Sequence, residues 1–131
     1  MERYMKKFPE LLNEEILKGL PGTKIQWKMA SSTRMMKRFP GSAGNDTKTA
    51  AVLILLYPYN KSIYTVFMQR PDYKGIHGGQ ISFPGGKTEL SDKNIIQTAI
   101  REAHEETGVD PAKISYIGTL TPLFIAVSRV C

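Results

Sequence analysis

Three glutamates, Glu102, Glu105 and Glu106, stand at i, i+3 and i+4 within "REAHEETG". On a helix this spacing turns all three carboxylates to one face. Crowded like charges repel unless a cation sits among them. Hard divalent cations such as Mg²⁺ take oxygen ligands and bridge carboxylates to substrate phosphates. Arg101 adjoins the cluster and can orient or partly neutralise one carboxylate. His104 falls elsewhere on the circumference and reads as a surface residue. Taken alone, a Glu-rich helix face is more often just a solvated surface.

A second feature lies upstream, in "HGGQISFPGGKTELSD", residues 77–92. Pro84 fixes its backbone, and Gly85 and Gly86 can turn sharply after "ISF". Glycine also lets main-chain groups approach a metal or a phosphate. A Gly-Gly pair alone is an ordinary turn signal. The conjunction is far more specific: a strand-like "ISFPGG", acids at Glu89 and Asp92, then "REAHEETGV" beginning fifteen residues after Gly86.

These residues resemble the Nudix hydrolase family, whose box reads G-x5-E-x7-R-E-U-x-E-E-x-G-U, with U bulky and apolar. Gly86, Arg101, Glu102, Glu105, Glu106, Gly108 and Val109 fall on its positions. Asp92 stands where the box has its first Glu, and eight residues rather than seven separate it from Arg101. Ala103 is small for the first U. The supporting acid is thus open between Asp92 and Glu89. Upstream, "VFMQRPDYKGIHGGQISFPGG" resembles the motif of the coenzyme A pyrophosphatase branch at Arg70, Gly79 and 83–86. It departs from that motif at Pro71 and at Gly75, where the branch has a second Arg.

The resemblance implies a Mg²⁺- or Mn²⁺-dependent hydrolase that cuts a P–O–P bond in a nucleoside diphosphate derivative. For the coenzyme A branch the products would be 3′,5′-ADP and 4′-phosphopantetheine. Glu105 and Glu106 would be the principal metal ligands, and Glu102 a third ligand or the base that takes a proton from water. Arg101 would hold Glu102, and Gly85 would offer a backbone carbonyl to the metal. Arg70, Lys74, His77 and Gly86 would contact the substrate. The alternatives are hydrolysis of ADP-ribose or a dinucleotide, or a non-catalytic nucleotide-binding module. Homodimers are common in the family, and no residue here decides for or against one.

The elements that must position these residues follow from periodicity. "KNIIQTAIREAHEETG" is the clearest helix, with an apolar stripe of Ile95, Ile96, Ala99, Ile100 and Ala103 and a stop at Gly108. "TAAVLILLYPY" and "SIYTVFMQR" read as neighbouring strands across a "PYNKS" turn. "ISYIGTL" and "PLFIAV" read as two more. "FPELLNEEILKGLPG" predicts a short helix with Pro9 in its first turn, Leu11, Leu12, Ile16 and Leu17 on one side, and Gly19 or Gly22 at its end. The expected fold is an α/β/α sandwich on a mixed sheet. Residues 1–48 would form a helix and connector, and 49–131 the core of one domain. The last strand candidate runs almost to the final residue, as in a fragment lacking its closing elements.

Composition narrows the class. The chain has 131 residues and a net charge of +6, enough for one domain with a real core. Residues 1–48 hold ten Lys/Arg against five Asp/Glu, so the surplus lies in that part, including "RMMKRF". No aromatic-basic signature accompanies it, so a nucleic-acid partner is not expected. No apolar run reaches membrane-span length, and none is expected to cross a bilayer. The "MERYMKKFPELLNEE" start is too acidic for a secretory signal, and the single cysteine, Cys131, suits a reducing cytoplasm.

Overall fold

A computed structural model of the chain describes residues 2–28, 48–72 and 79–123. Helices α1 (Glu2–Leu17) and α2 (Gly22–Lys28) come first. Six short strands follow: β1 (Ala50–Val52), β2 (Leu56–Tyr59), β3 (Ser62–Thr65), β4 (Met68–Gln69), β5 (Ile81–Ser82) and β6 (Gly85–Lys87). Helix α3 (Ile95–Thr107) and a 3₁₀ turn (Pro111–Lys113) complete the described elements. Helix α3 packs on β1 and β6, and the mixture of helices and strands makes an α/β fold, as expected. All three strand pairings are antiparallel, so no parallel member of a mixed sheet occurs among the described residues.

Helix α3 forms where local signals predict it. The Asn94 side chain accepts the Gln97 N–H at 2.9 Å, and the Gln97 side chain accepts the Lys93 N–H at 2.8 Å. This reciprocal cap satisfies donors that the first turn leaves free. At the other end Gly108 takes φ 74° and donates its N–H to the His104 carbonyl, a left-handed stop natural to glycine. The buried side of α3 is built from Thr98, Ala99 and Ala103, and it packs on β1 and β6. Small residues there let the helix axis approach the strands closely.

β1 and β6 pair with Ala51 opposite Gly86 and Val52 opposite Gly85. Bonds from Leu53 N to the Pro84 carbonyl and from Thr88 N to the Thr49 carbonyl extend this seam at both ends. A β-carbon on Gly85, at φ +153°, would overlap the Ala51 carbonyl and come within 2.5 Å of the Val52 Cα. Glycine is required there by the close approach of two backbones. β2 and β3 form a hairpin whose turn residues Asn60 and Lys61 both have positive φ, the primed-turn geometry that fits strand twist.

Several expectations are corrected. The run 49–59 is two strands, because β1 pairs with β6 while β2 pairs with β3. The run 62–70 divides for the same reason, β4 pairing with β5. Helix α1 begins at Glu2, seven residues before Pro9, which lies inside it. Its half-buried side is Met5, Phe8, Leu12 and Ile16, whereas Leu11 and Leu17 are exposed. Residues 114–120 form no strand. Within them a β-carbon on Gly118 would meet Ile16 of α1, and just beyond them Gln26 Nε2 of α2 donates to the Thr121 carbonyl at 3.0 Å. Residues 124–127 of the last strand candidate, and "RMMKRF", lie outside the described residues. Among the described residues no helix is long and apolar enough to cross a membrane.

The β1–β6 seam generates a direct test. Gly85→Ala should cost about 3 kcal/mol from overpacking and backbone strain, read as a lower urea midpoint at unchanged m-value. A wild-type midpoint would mean that the two strands can separate at little cost.

Candidate active site

β6 and α3 together bring the acidic residues to one place. The Gly85 N–H donates to Glu106 Oε2 at 2.8 Å. A β-carbon on Gly86 would lie 2.5 Å from both oxygens of the Glu102 carboxylate. The adjacent glycines therefore serve different ends. Gly85 lets strand meet strand, and Gly86 makes room for a carboxylate.

Arg101 organises the rest. Its Nε and Nη2 donate to the two oxygens of Asp92, each at 3.0 Å. Nη2 also donates to the Lys87 carbonyl at 3.0 Å, tying α3 to the end of β6. Nη1 donates to Glu102 at 3.0 Å and more loosely to Glu105 at 3.4 Å. Glu89 stands 3.7 Å from the same nitrogen.

The structure distinguishes the two upstream acids. The Asp92 side chain is 2% exposed and makes the two-pronged pair, while the Glu89 side chain is 62% exposed. Glu89 acts on the pair through its backbone, whose N–H donates to Asp92 Oδ2 at 2.9 Å. The return bond from Asp92 N to the Glu89 carbonyl closes a tight turn over 89–92. That turn ends at the acid itself, ahead of the eight residues that separate Asp92 from Arg101. It carries the shorter aspartate side chain up to the guanidinium.

Fork-to-fork bonding with Arg101 holds the Asp92 carboxyl well below the usual carboxylate range. The Glu89 N–H and the Thr98 hydroxyl add to this, against the opposing effect of desolvation. The same bonds to Asp92, with smaller contributions from Glu102 and Glu105, raise Arg101 further above its ordinary value. Its charge is permanent.

Glu102, Glu105 and Glu106, with the Gly85 carbonyl, form an all-oxygen donor set, the chemistry a hard divalent cation takes. The Glu105 side chain is 54% exposed, and Glu106 is exposed as well. Among the described residues no three acids or histidines converge closely enough to grip an ion as they stand. Glu106 is turned to Gly85 N and Glu102 to Arg101. The donor types fit, and holding a cation requires those two side chains to exchange their present partners.

Of the residues singled out from sequence, Gly85, Gly86, Asp92, Arg101, Glu102, Glu105 and Glu106 come together, with Glu89 at the margin. Arg70 follows β4, where its N–H bonds the Gln80 carbonyl. Among the described residues, no hydrogen bond or ion pair joins it to the cluster. Lys74 and His77 lie outside the described residues. Sequence reasoning missed Thr98, which is 0% exposed and donates to Asp92 Oδ2 at 2.9 Å. The available signal was a hydroxyl within the apolar stripe of α3.

Comparison with known proteins identifies the family. Residues 47–129 match the NUDIX domain. A protein named Uncharacterized Nudix hydrolase NudL from Yersinia enterocolitica is 38% identical over 86 residues, 64% of this chain and 43% of its own. One of the same name from Pectobacterium atrosepticum is 33% identical over 93 residues, 70% of this chain and 48% of its own. Nudix hydrolase 15, mitochondrial, from Arabidopsis thaliana is 41% identical over 76 residues, 57% of this chain and 27% of its own. The chain spans about half the length, or less, of the curated relatives it matches.

A carboxyl held low by folding contributes stability above its unfolded pKa and loses it as pH falls toward the folded value. Asp92→Asn should therefore lower Tm between pH 5 and 8. The gap between wild type and variant should narrow as pH drops below about 4. Melting both proteins across pH 3–8 checks this, and a gap that stays constant into acid would remove the charge from the explanation.

Proposed function

Because the chain belongs to the NUDIX family, we propose that it hydrolyses the P–O–P bond of a nucleoside diphosphate derivative, with coenzyme A or one of its derivatives as substrate. Water's oxygen bonds to one phosphorus as the bridging P–O bond breaks. Coenzyme A would yield 3′,5′-ADP and 4′-phosphopantetheine. The observation that carries this reading is the meeting of β6 with α3, where two glycine positions face two glutamates across a seam.

NUDIX hydrolases generally use divalent metal ions, and Mg²⁺ or Mn²⁺ is the ion proposed for this chain. Bound beside the substrate, such an ion cancels phosphate charge and acidifies water. Glu105 and Glu106 are its principal holders, with the Gly85 carbonyl as a neutral ligand. Glu102 is a third holder or accepts the proton of the attacking water at a carboxylate oxygen. Arg101 keeps Glu102 against Gly86 and is itself kept by Asp92. Arg70, Lys74, His77 and Gly86 are the residues proposed to contact the substrate. The reading is of a cytoplasmic enzyme acting on small nucleotides.

Gly75 favours a second reading. The coenzyme A branch motif has an arginine at that position, and its loss suits ADP-ribose or a dinucleotide.

Product analysis by mass, with coenzyme A, ADP-ribose and NADH offered in Mg²⁺ and then Mn²⁺, decides between them. Release of 3′,5′-ADP from coenzyme A is the expected result, and chelation with EDTA should abolish it. Cleavage of ADP-ribose or NADH alone would discard coenzyme A. Glu105→Gln should slow turnover roughly 100-fold or more, the scale for losing one electrostatic stabiliser, with an unchanged fold. Full activity of that variant at saturating Mg²⁺ would overturn the site. No cleavage of any substrate would leave nucleotide binding, read by calorimetry, as the remaining function.

A further inference from the structure

Thr98 stands on the fourth residue of α3, three before Arg101 and one turn from it. Its backbone N–H donates to the Asn94 carbonyl at 3.2 Å, closing the first turn. Its hydroxyl has two acceptors in reach, Asp92 Oδ2 at 2.9 Å and the Asn94 carbonyl at 3.4 Å. A hydroxyl has one proton, and the shorter, charge-assisted bond takes it.

Asp92 then receives four donors. Oδ1 accepts Arg101 Nε, and Oδ2 accepts Arg101 Nη2, Glu89 N–H and Thr98 Oγ1–H. Each carboxylate oxygen offers about two lone-pair sites, so Oδ2, with three donors, is fully used, and the group cannot rotate without losing a bond. Two of the donors belong to the guanidinium that Asp92 must position, and a third belongs to its own turn. Among the described residues, Thr98 alone ties the carboxylate plane to α3 independently of Arg101.

We propose that Thr98 is a positioning residue for the hydrolysis. Its hydroxyl fixes the plane of Asp92, which fixes the plane of Arg101 and so the direction in which Nη1 meets Glu102 and Glu105. The part played in turnover rests on the hydrolase reading above, whereas the latch itself does not.

The experiment compares the full chain with Thr98→Val, which keeps shape and loses the proton, and Thr98→Ser, which keeps the hydroxyl. One readout needs neither metal nor substrate: solvent exchange of the Arg101 Nε–H, followed by ¹⁵N NMR. The other is kcat and KM on whichever substrate the wild type cleaves. Thr98→Val should speed Nε–H exchange and lower kcat, each about tenfold, with KM nearly unchanged, the scale of an outer-shell loss. Thr98→Ser should restore both. Wild-type exchange and kcat in Thr98→Val would overturn the proposal, as would equal defects in the Val and Ser variants, which would mark a packing role. Should Thr98→Val fail to fold, Thr98→Ala against Thr98→Ser makes the same comparison. Should the wild type cleave nothing, the hydrolase reading fails by itself and the exchange rates still decide the latch.

Discussion

The pairing of Arg101 with Asp92 is the constraint on which the acidic face of α3 depends. A guanidinium has five N–H donors in a rigid plane. Once two are fixed on a nearly buried carboxylate, the others have little freedom to choose. Here they fall on the end of β6, through the Lys87 carbonyl, and on Glu102 and Glu105. A lysine could supply the charge but not these several directions at once. The cation that makes clustered glutamates tolerable also orients Glu102 and, more loosely, Glu105.

Backbone geometry complements that charge network. The helix could not reach β6 if Ala99 and Ala103 were bulky, and the strand could not receive Glu102 if Gly86 carried a side chain. Small residues on the two partners thus let the helix and the strand meet closely. Glu106 meets a backbone N–H there, so one carboxylate is oriented by the strand and another by the arginine.

The parts legible in the sequence are those governed by neighbours in the chain. Asn94 and Gly108 bound α3 through contacts three or four residues away, and the spacing of Glu102, Glu105 and Glu106 announces a shared face. The hairpin turn at Asn60 is equally local. What was not legible depends on distant partners. Nothing within 49–59 says that its first half pairs with β6 and its second half with β3. Residues 114–120 have a strand's composition, yet Gly118 within them lies against Ile16 of α1. Pro9 suggests a helix start, but the half-buried row of Met5, Phe8, Leu12 and Ile16 carries the helix through it. The choice of Asp92 over Glu89 turns on one tight turn, and the use of Thr98 exists only once that turn has formed.

The opposition of Ala51 to Gly86 joins positions thirty-five residues apart (86 − 51 = 35), and this separation bears on how the acidic cluster arises. The β2–β3 hairpin can close over two turn residues with little loss of chain entropy, whereas the β1–β6 seam closes a long loop before any reward arrives. Helix α3 has its caps and glutamates regardless, but only that closure brings Gly85 and Gly86 to them. Assembly of the cluster is thereby coupled to the longest-range strand pairing among the described residues. A chain that has folded only its local elements carries the acids without the arrangement that gives them a common task.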